Sequence, residues 1–195
     1  MTSAPGTTSQ WMRVRVSAPS LLAVSLVVAL IGTGCSRDDP TAPSAMSSAS
    51  VSSTPGLGPD TVAEKGVLAA YRGMWDAFVE AGKVSDPDAA GLRRYASDQA
   101  LRLVVSSLYT NREQGKVAQG AVVLSPEVIE ITPSGAPTEA TVLDCVDSTN
   151  WLEYKASGGL WDDEPGGRHR TTATVKATDG VWRVSSFVLE ESGTC

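Results

Sequence analysis

The chain has 195 residues, 42% of them hydrophobic, and carries a formal net charge of −6 at pH 7 from 16 basic and 22 acidic side chains. That length and apolar content suit one folded core rather than two. The acidic balance argues against a nucleic-acid partner, which needs clustered Lys and Arg to displace counterions, and against electrostatic docking onto anionic lipid.

Residues 1–20 hold Arg13 and Arg15 and no acid, residues 21–31 (LLAVSLVVALI) are apolar apart from Ser25, and the small residues GTG lead into Cys35. This order of charged, apolar and small-residue segments predicts an export signal peptide over 1–34. The apolar run is shorter than the roughly 20 residues a membrane-crossing helix needs. The motif IGTGC resembles the lipobox of bacterial lipoproteins, whose cysteine receives a diacylglyceryl thioether, although Gly32 stands where that motif prefers leucine. The resemblance implies lipidation at Cys35, a membrane partner engaged through a lipid anchor, and a place on the extracytoplasmic face of the cell membrane. The other reading is an ordinary signal peptide that leaves Cys35 as a free or paired thiol. Loss of Arg13 and Arg15 with the signal takes the net charge from −6 to −8.

Three cysteines leave one over unless one is otherwise used. With Cys35 lipidated, Cys145 and Cys195 remain to pair in an oxidising compartment. The segment 35–59 is rich in Ser, Pro, Ala and Gly. It has too little apolar content to offset its ordering entropy and reads as a tether reaching about 25 to 30 Å.

The folded domain is expected over 60–195. TVAE offers a capping box, with Thr61 at the cap and Glu64 three residues on. Val67, Leu68, Tyr71, Met74, Trp75 and Phe78 then recur at helical spacing up to Gly82. SDPDAAGLRRYA restarts a helix with Asp86 as cap and Pro87 in the first turn, and a third helix follows from Asp98 through Leu101, Val104, Val105 and Leu108 to NREQGK. The period then changes. QGAVVLSPEVIEIT reads as β structure in which Pro126 implies a bulge or an edge, and TEATVLDCVDS and WLEYKAS read as strands separated by STN. RTTATVKATDGVWRVSSFVLEE alternates on both sides of Asp179-Gly180, the strongest hairpin signal in the chain. Helices first and antiparallel strands after them predict an α+β fold with helices packed on one face of a curved sheet.

A first helix bearing YRGMWDAF, further helices and final strands ending in GVWRVSSF resemble the NTF2-like, or SnoaL-like, superfamily in its secreted bacterial lipoprotein versions, and DCVDSTNW with a terminal cysteine is similar to actinobacterial members. The resemblance implies an NTF2-like cone, in which a bent sheet wraps helices around a cavity used either for catalysis or for holding a partner. Fold alone decides neither. Cavity enzymes of the isomerase, dehydratase or cyclase type set an acidic base against a proton donor, which here makes Asp144 the base and Tyr71, Tyr109 or Tyr154 the donor. The bland reading of these residues is a solvated strand carboxylate and core-edge tyrosines with their hydroxyls at water. His169, the one histidine, lies between Arg168 and Arg170 without an acidic neighbour in sequence and reads as an exposed loop-to-strand residue. One histidine and two paired cysteines make no metal ligand set, and no cofactor motif is present. Trp75 and Trp182 read as core. Trp161, in the glycine-rich and acidic loop GGLWDDEPGG, is a contact residue or a lid. The expected function is therefore a non-enzymatic, membrane-anchored binding domain for a small apolar ligand or an envelope protein. A cavity enzyme and a structural accessory of an envelope complex are the alternatives.

Overall fold

The computed structural model describes residues 58–195. The signal peptide, Cys35 and residues 35–57 of the tether lie outside the described residues. Three helices come first: α1 (Pro59–Gly82), α2 (Ala90–Tyr95) and α3 (Asp98–Gln114). Six strands follow: β1 (Lys116–Gly120), β2 (Glu127–Thr132), β3 (Glu139–Asp147), β4 (Trp151–Lys155), β5 (Arg168–Thr178) and β6 (Val181–Leu189). The α+β class expected from the change of period is the architecture observed.

Local chemistry moves two helix starts away from their sequence signals. Helix α1 begins at Pro59 behind Gly58, with no side-chain cap, so Thr61 and Glu64 are already inside it and form no capping box. Proline suits that first turn because its missing N–H would have no helical partner. Helix α2 does not start at Asp86 and Pro87. Asp86 Oδ1 instead accepts the Asp88 N–H (3.0 Å), a turn that delays the helix to Ala90. Helix α3 starts at Asp98 as expected and stops at Gly115, whose φ of 67° makes the left-handed cap.

Strands β2, β3, β5 and β6 form a four-stranded antiparallel sheet in the order β2-β3-β5-β6, while β1 and β4 form a separate two-stranded ribbon. The strands expected around STN are both present, yet they do not make a hairpin: β4 skips back to β1, and β3 pairs with β2 and β5. Strand β2 is a sheet edge with a bulge between Val128 and Glu130, and Pro126 lies just ahead of it. The β5–β6 hairpin turns at Asp179-Gly180, both with positive φ, as that dipeptide implies.

The core lies between α1 and one sheet face. Val67, Ala70, Tyr71, Met74, Trp75 and Phe78 of α1 are buried against Ala140, Val142 and Val146 of β3, Ala173 and Val175 of β5, and Val184 of β6. Leu68, grouped with this face by spacing, is only half-buried at its margin. The free edge of β6 is closed by the start of α3. Ser97 N–H donates to Val184 O (2.9 Å). The Gln99 amide accepts from Phe187 N–H (3.0 Å) and donates to Phe187 O (3.3 Å), standing in for the peptide group of a further strand. Cys145 of β3 and Cys195 are joined by a disulfide, with Cα atoms 5.9 Å apart. The loop it closes is long enough for chain-entropy arithmetic to give about 4 kcal/mol of stabilisation.

Two glycines inside α1 mark close approaches. A Cβ on Gly66 would press on the Trp182 indole, and one on Gly73 would meet Tyr95 ring carbons at 2.6 to 2.8 Å. The propensity cost of mid-helix glycine is thus the condition for packing α1 against β6 and α2. Gly73→Ala should lower stability by about 1 to 2 kcal/mol despite alanine's better helix propensity, because overpacking exceeds that gain. Urea denaturation checks this, with a shift of the midpoint to lower urea as the expected result.

Candidate functional site

Two places bring functional side chains together. The first is interior. Alternation along β3 points Ala140, Val142, Asp144 and Val146 to the helices, so Asp144 is buried at 4% exposure rather than solvated. Its Oδ1 accepts the Ser125 N–H at 2.7 Å, which fastens the segment before β2 to β3. Tyr71, at 0% exposure, comes from α1 and sets its hydroxyl among Asp144, Trp75 and Thr171, so the core-edge reading with a hydroxyl at water is corrected as well. Tyr71 Oη, Trp75 Nε1 and Asp144 Oδ2 are sealed from solvent and complete no hydrogen bond of ordinary geometry. Burial pushes the Tyr71 hydroxyl far above its ordinary value, and the Asp144 charge adds to the rise.

The structure thus joins Asp144 with Tyr71 and separates them from the other tyrosines. Tyr109 is exposed on α3, where Arg112 lies over its ring at 5.4 Å. Tyr154 belongs to the β1–β4 ribbon. A carboxylate beside a phenol has the composition of an acid–base pair, but a substrate would first have to open the core to reach it. Trp75 is core as expected, and its ring packs against Phe78 and Phe187. Trp182 and Trp151 are half-buried against the same core, Trp151 edge-on to Phe78 at 5.1 Å. His169 Nδ1 lies 2.9 Å from Glu190 O and ties the C-terminal residues to β5.

The second place is the ribbon. Residues Gly158 and Gly159, both with positive φ, reverse the chain after β4 so that Leu160 bridges Tyr154 and Trp161 N–H donates to Glu153 O (2.9 Å). Cross-strand register then makes two rows. Val117, Tyr154 and Leu160 face one way, and Ala118, Glu153 and Trp161 the other. On the second face Lys116 Nζ is ion-paired with Glu153 and lies 4.7 Å from the centre of the Trp161 ring, which fixes the indole by a cation–π contact. The pair is largely buried, with side chains 14% and 20% exposed. On the first face a concavity of about 470 Å³ opens beside Val117 and Tyr154, bounded by Lys83, Val84 and Lys155. Leu160 (47%), Val84 (71%) and Trp161 (37%) all reach solvent around this ribbon. Among the described residues no cluster of three or more His, Cys, Asp or Glu could hold a metal ion.

The exposure of Trp161 was legible from its loop. Its platform was not, because Lys116 and Glu153 meet only through a pairing that skips two strands. Asp144 had a signal in its own strand, where it takes the inward position between Val142 and Val146.

No protein-family model matches the chain, and no curated protein is significantly similar to it. Among solved structures, the intermembrane-space region of the chloroplast protein ARC6 is similar over 71% of this chain and 100% of its own, at 14% identity and a TM-score of 0.49. Two Nostoc punctiforme proteins of unknown function with a cystatin-like fold are also similar. One covers 69% of this chain and 80% of its own at 13% identity and a TM-score of 0.39, and the other 71% and 96% at 14% identity and 0.38.

The interior cluster makes one titration testable. A phenol whose folded-state pKa lies above its unfolded value near 10 contributes stability that is present below pH 10 and lost as pH rises further. Tyr71→Phe should therefore weaken the fall of stability above pH 10 while leaving native-state phenolate absorbance at 295 nm unchanged. An unchanged pH–stability profile would contradict the sealed hydroxyl.

Proposed function

We propose that this chain is a lipid-anchored, extracytoplasmic binding protein of NTF2-like type, held on the membrane through Cys35 and engaging an envelope protein through the β1–β4 ribbon. The observation that carries this reading is that the ribbon shows apolar side chains to solvent on both faces, the Lys116-backed indole of Trp161 on one and Leu160, near Val84, on the other. A side chain already held in place loses less entropy on contact, as Lys116 and the Glu153 carbonyl hold Trp161, and tryptophan is prominent among the residues that dominate interface energy. A protein partner suits the ribbon better than a small apolar ligand, because the concavity there is open and edged by Lys83 and Lys155. The second reading, a cavity enzyme with Asp144 as base and Tyr71 as donor, is favoured by the meeting of these two side chains inside the domain. It ranks lower because their reactive atoms have no path to solvent.

A photo-crosslinking residue placed at Leu160 in the full chain, in cells of the producing organism, tests the ribbon. The expected result is one dominant adduct that Trp161→Ala reduces at least tenfold, and that the same probe at exposed Val188 on the sheet does not form. Equal adducts from both positions would overturn the reading. For the anchor, Cys35→Ala should abolish metabolic incorporation of an alkyne fatty acid and shift the protein from the membrane fraction to the soluble one. Unchanged membrane retention would refute lipidation.

A further inference from the structure

The chain beyond β6 is organised around its terminal cysteine. Glu190 N–H donates to Arg170 O (2.9 Å), Gly193 N–H donates to Arg168 O (2.8 Å), and Arg170 N–H donates to Thr194 Oγ1 (2.9 Å). Residues 190–195 thus continue the ladder along β5 after β6 has ended, turning at Gly193, where φ is +86°. Cys195 then reaches across to Cys145, whose register partner on β5 is Arg170. None of these six residues belongs to the buried core, which ends at Leu189. The two sulfurs are placed differently. Cys195 is exposed, whereas Cys145 is half-buried within β3, and Arg168 Nη2 lies 3.5 Å from its Sγ.

We infer that Cys145–Cys195 is a directional thiol–disulfide exchange site, attacked by an external dithiol at Cys195 and opening to release the C-terminal tail while the domain stays folded. The direction follows from access and from leaving-group chemistry. Exchange is faster at the more accessible sulfur and when the departing thiolate is stabilised, and a guanidinium beside sulfur stabilises the thiolate form. In the first step a thiolate of the dithiol forms a bond to Cys195 Sγ, the S–S bond breaks, and its electron pair leaves on Cys145 Sγ beside Arg168. In the second step the remaining thiol of the reagent, as thiolate, attacks its own mixed-disulfide sulfur and displaces Cys195. The reagent departs as a disulfide, two electrons have passed to the protein, and the two cysteine thiolates take up the two protons the dithiol gave to solvent. Oxidation by a disulfide of the same class runs these steps backwards. Opening frees the amide of Arg170 and the carbonyls of Arg168 and Arg170, which makes this end of β5 an unpaired strand edge that another strand can join.

The experiment uses the full chain in detergent, with any free thiol capped before reduction. After brief exposure to glutathione and acid quenching, peptide mapping should find glutathione on Cys195 and a free thiol at Cys145. Glutathione on Cys145 would overturn the direction. Arg168→Ala should slow reduction by dithiothreitol about three- to tenfold at low ionic strength, Arg168→Lys should restore most of the rate, and salt should slow the wild type. Equal rates in wild type and Arg168→Ala, with no salt effect, would remove Arg168 from the step. Hydrogen exchange should show protection lost at Arg170, Glu190 and Gly193 in both the reduced protein and Cys195→Ser, with α1 and β3 still protected and their exchange faster by no more than the roughly thousandfold that loss of the loop closure brings. Loss of protection throughout α1 would mean that the bond holds the whole fold, and the local release would be wrong.

Discussion

Helix α1 needs a sheet that the chain finishes only with its last strand. Val67, Tyr71 and Met74 are buried in a core to which β3, β5 and β6 contribute Val142, Val175 and Val184, and α2 and α3 contribute Leu92, Val104 and Leu108. A helix of this kind draws most of its stability from tertiary packing. The three helices therefore become secure late, when contacts of large sequence separation have formed. A topology so dependent on non-local pairing is expected to fold slowly compared with a helical bundle of its size. Gly66 and Gly73 are the positions at which α1 gives up side-chain volume to seat against Trp182 of β6 and Tyr95 of α2.

That seating also decides where chemistry or recognition can happen. The interior is closed over Tyr71, Trp75 and Asp144, and Trp151 Nε1 at the start of β4 is a fourth polar group sealed there. Such groups are costly unless each finds a partner, so their convergence from a helix and a strand is a constraint on any rearrangement of the core. The ribbon bears the opposite burden. It takes little part in the sheet and shows apolar side chains to water, yet it is held by the Lys116–Glu153 ion pair and by the Glu153 carbonyl beneath Trp161. The ribbon thus joins the two regions, with Trp151 packed on Phe78 next to Trp75 while Trp161 reaches solvent.

Much of this organisation was legible in the sequence, and the parts that were not have a common cause. Periodicity located the helices and strands, Asp179-Gly180 marked its hairpin, and cysteine parity singled out Cys145 and Cys195. These signals are local or arithmetical. What escaped was pairing at a distance: β4 with β1, Lys116 with Glu153, and the Gln99 side chain with Phe187. The helix starts at Pro59 and Ala90 escaped for a different reason, since Thr61 and Asp86 are good capping residues that the backbone used otherwise. Asp144 lies between these cases. Its inward direction follows from counting along β3, but its meeting with Tyr71 depends on how α1 is rotated, and helical spacing leaves that open by a fraction of a turn.

The Gln99 amide also bears on how copies of the domain meet. An open sheet edge lets chains zip together wherever two copies of a domain collide. Here β6 offers no such opening at Phe187, where a side-chain amide already occupies both hydrogen-bonding positions of the backbone. At the other edge, β2 is short, interrupted by its bulge and flanked by Pro126 and Pro133. Neither edge is closed by a further strand: Ser97 and Gln99 at the start of α3 occupy backbone groups of β6, and a bulge interrupts β2 between its two flanking prolines.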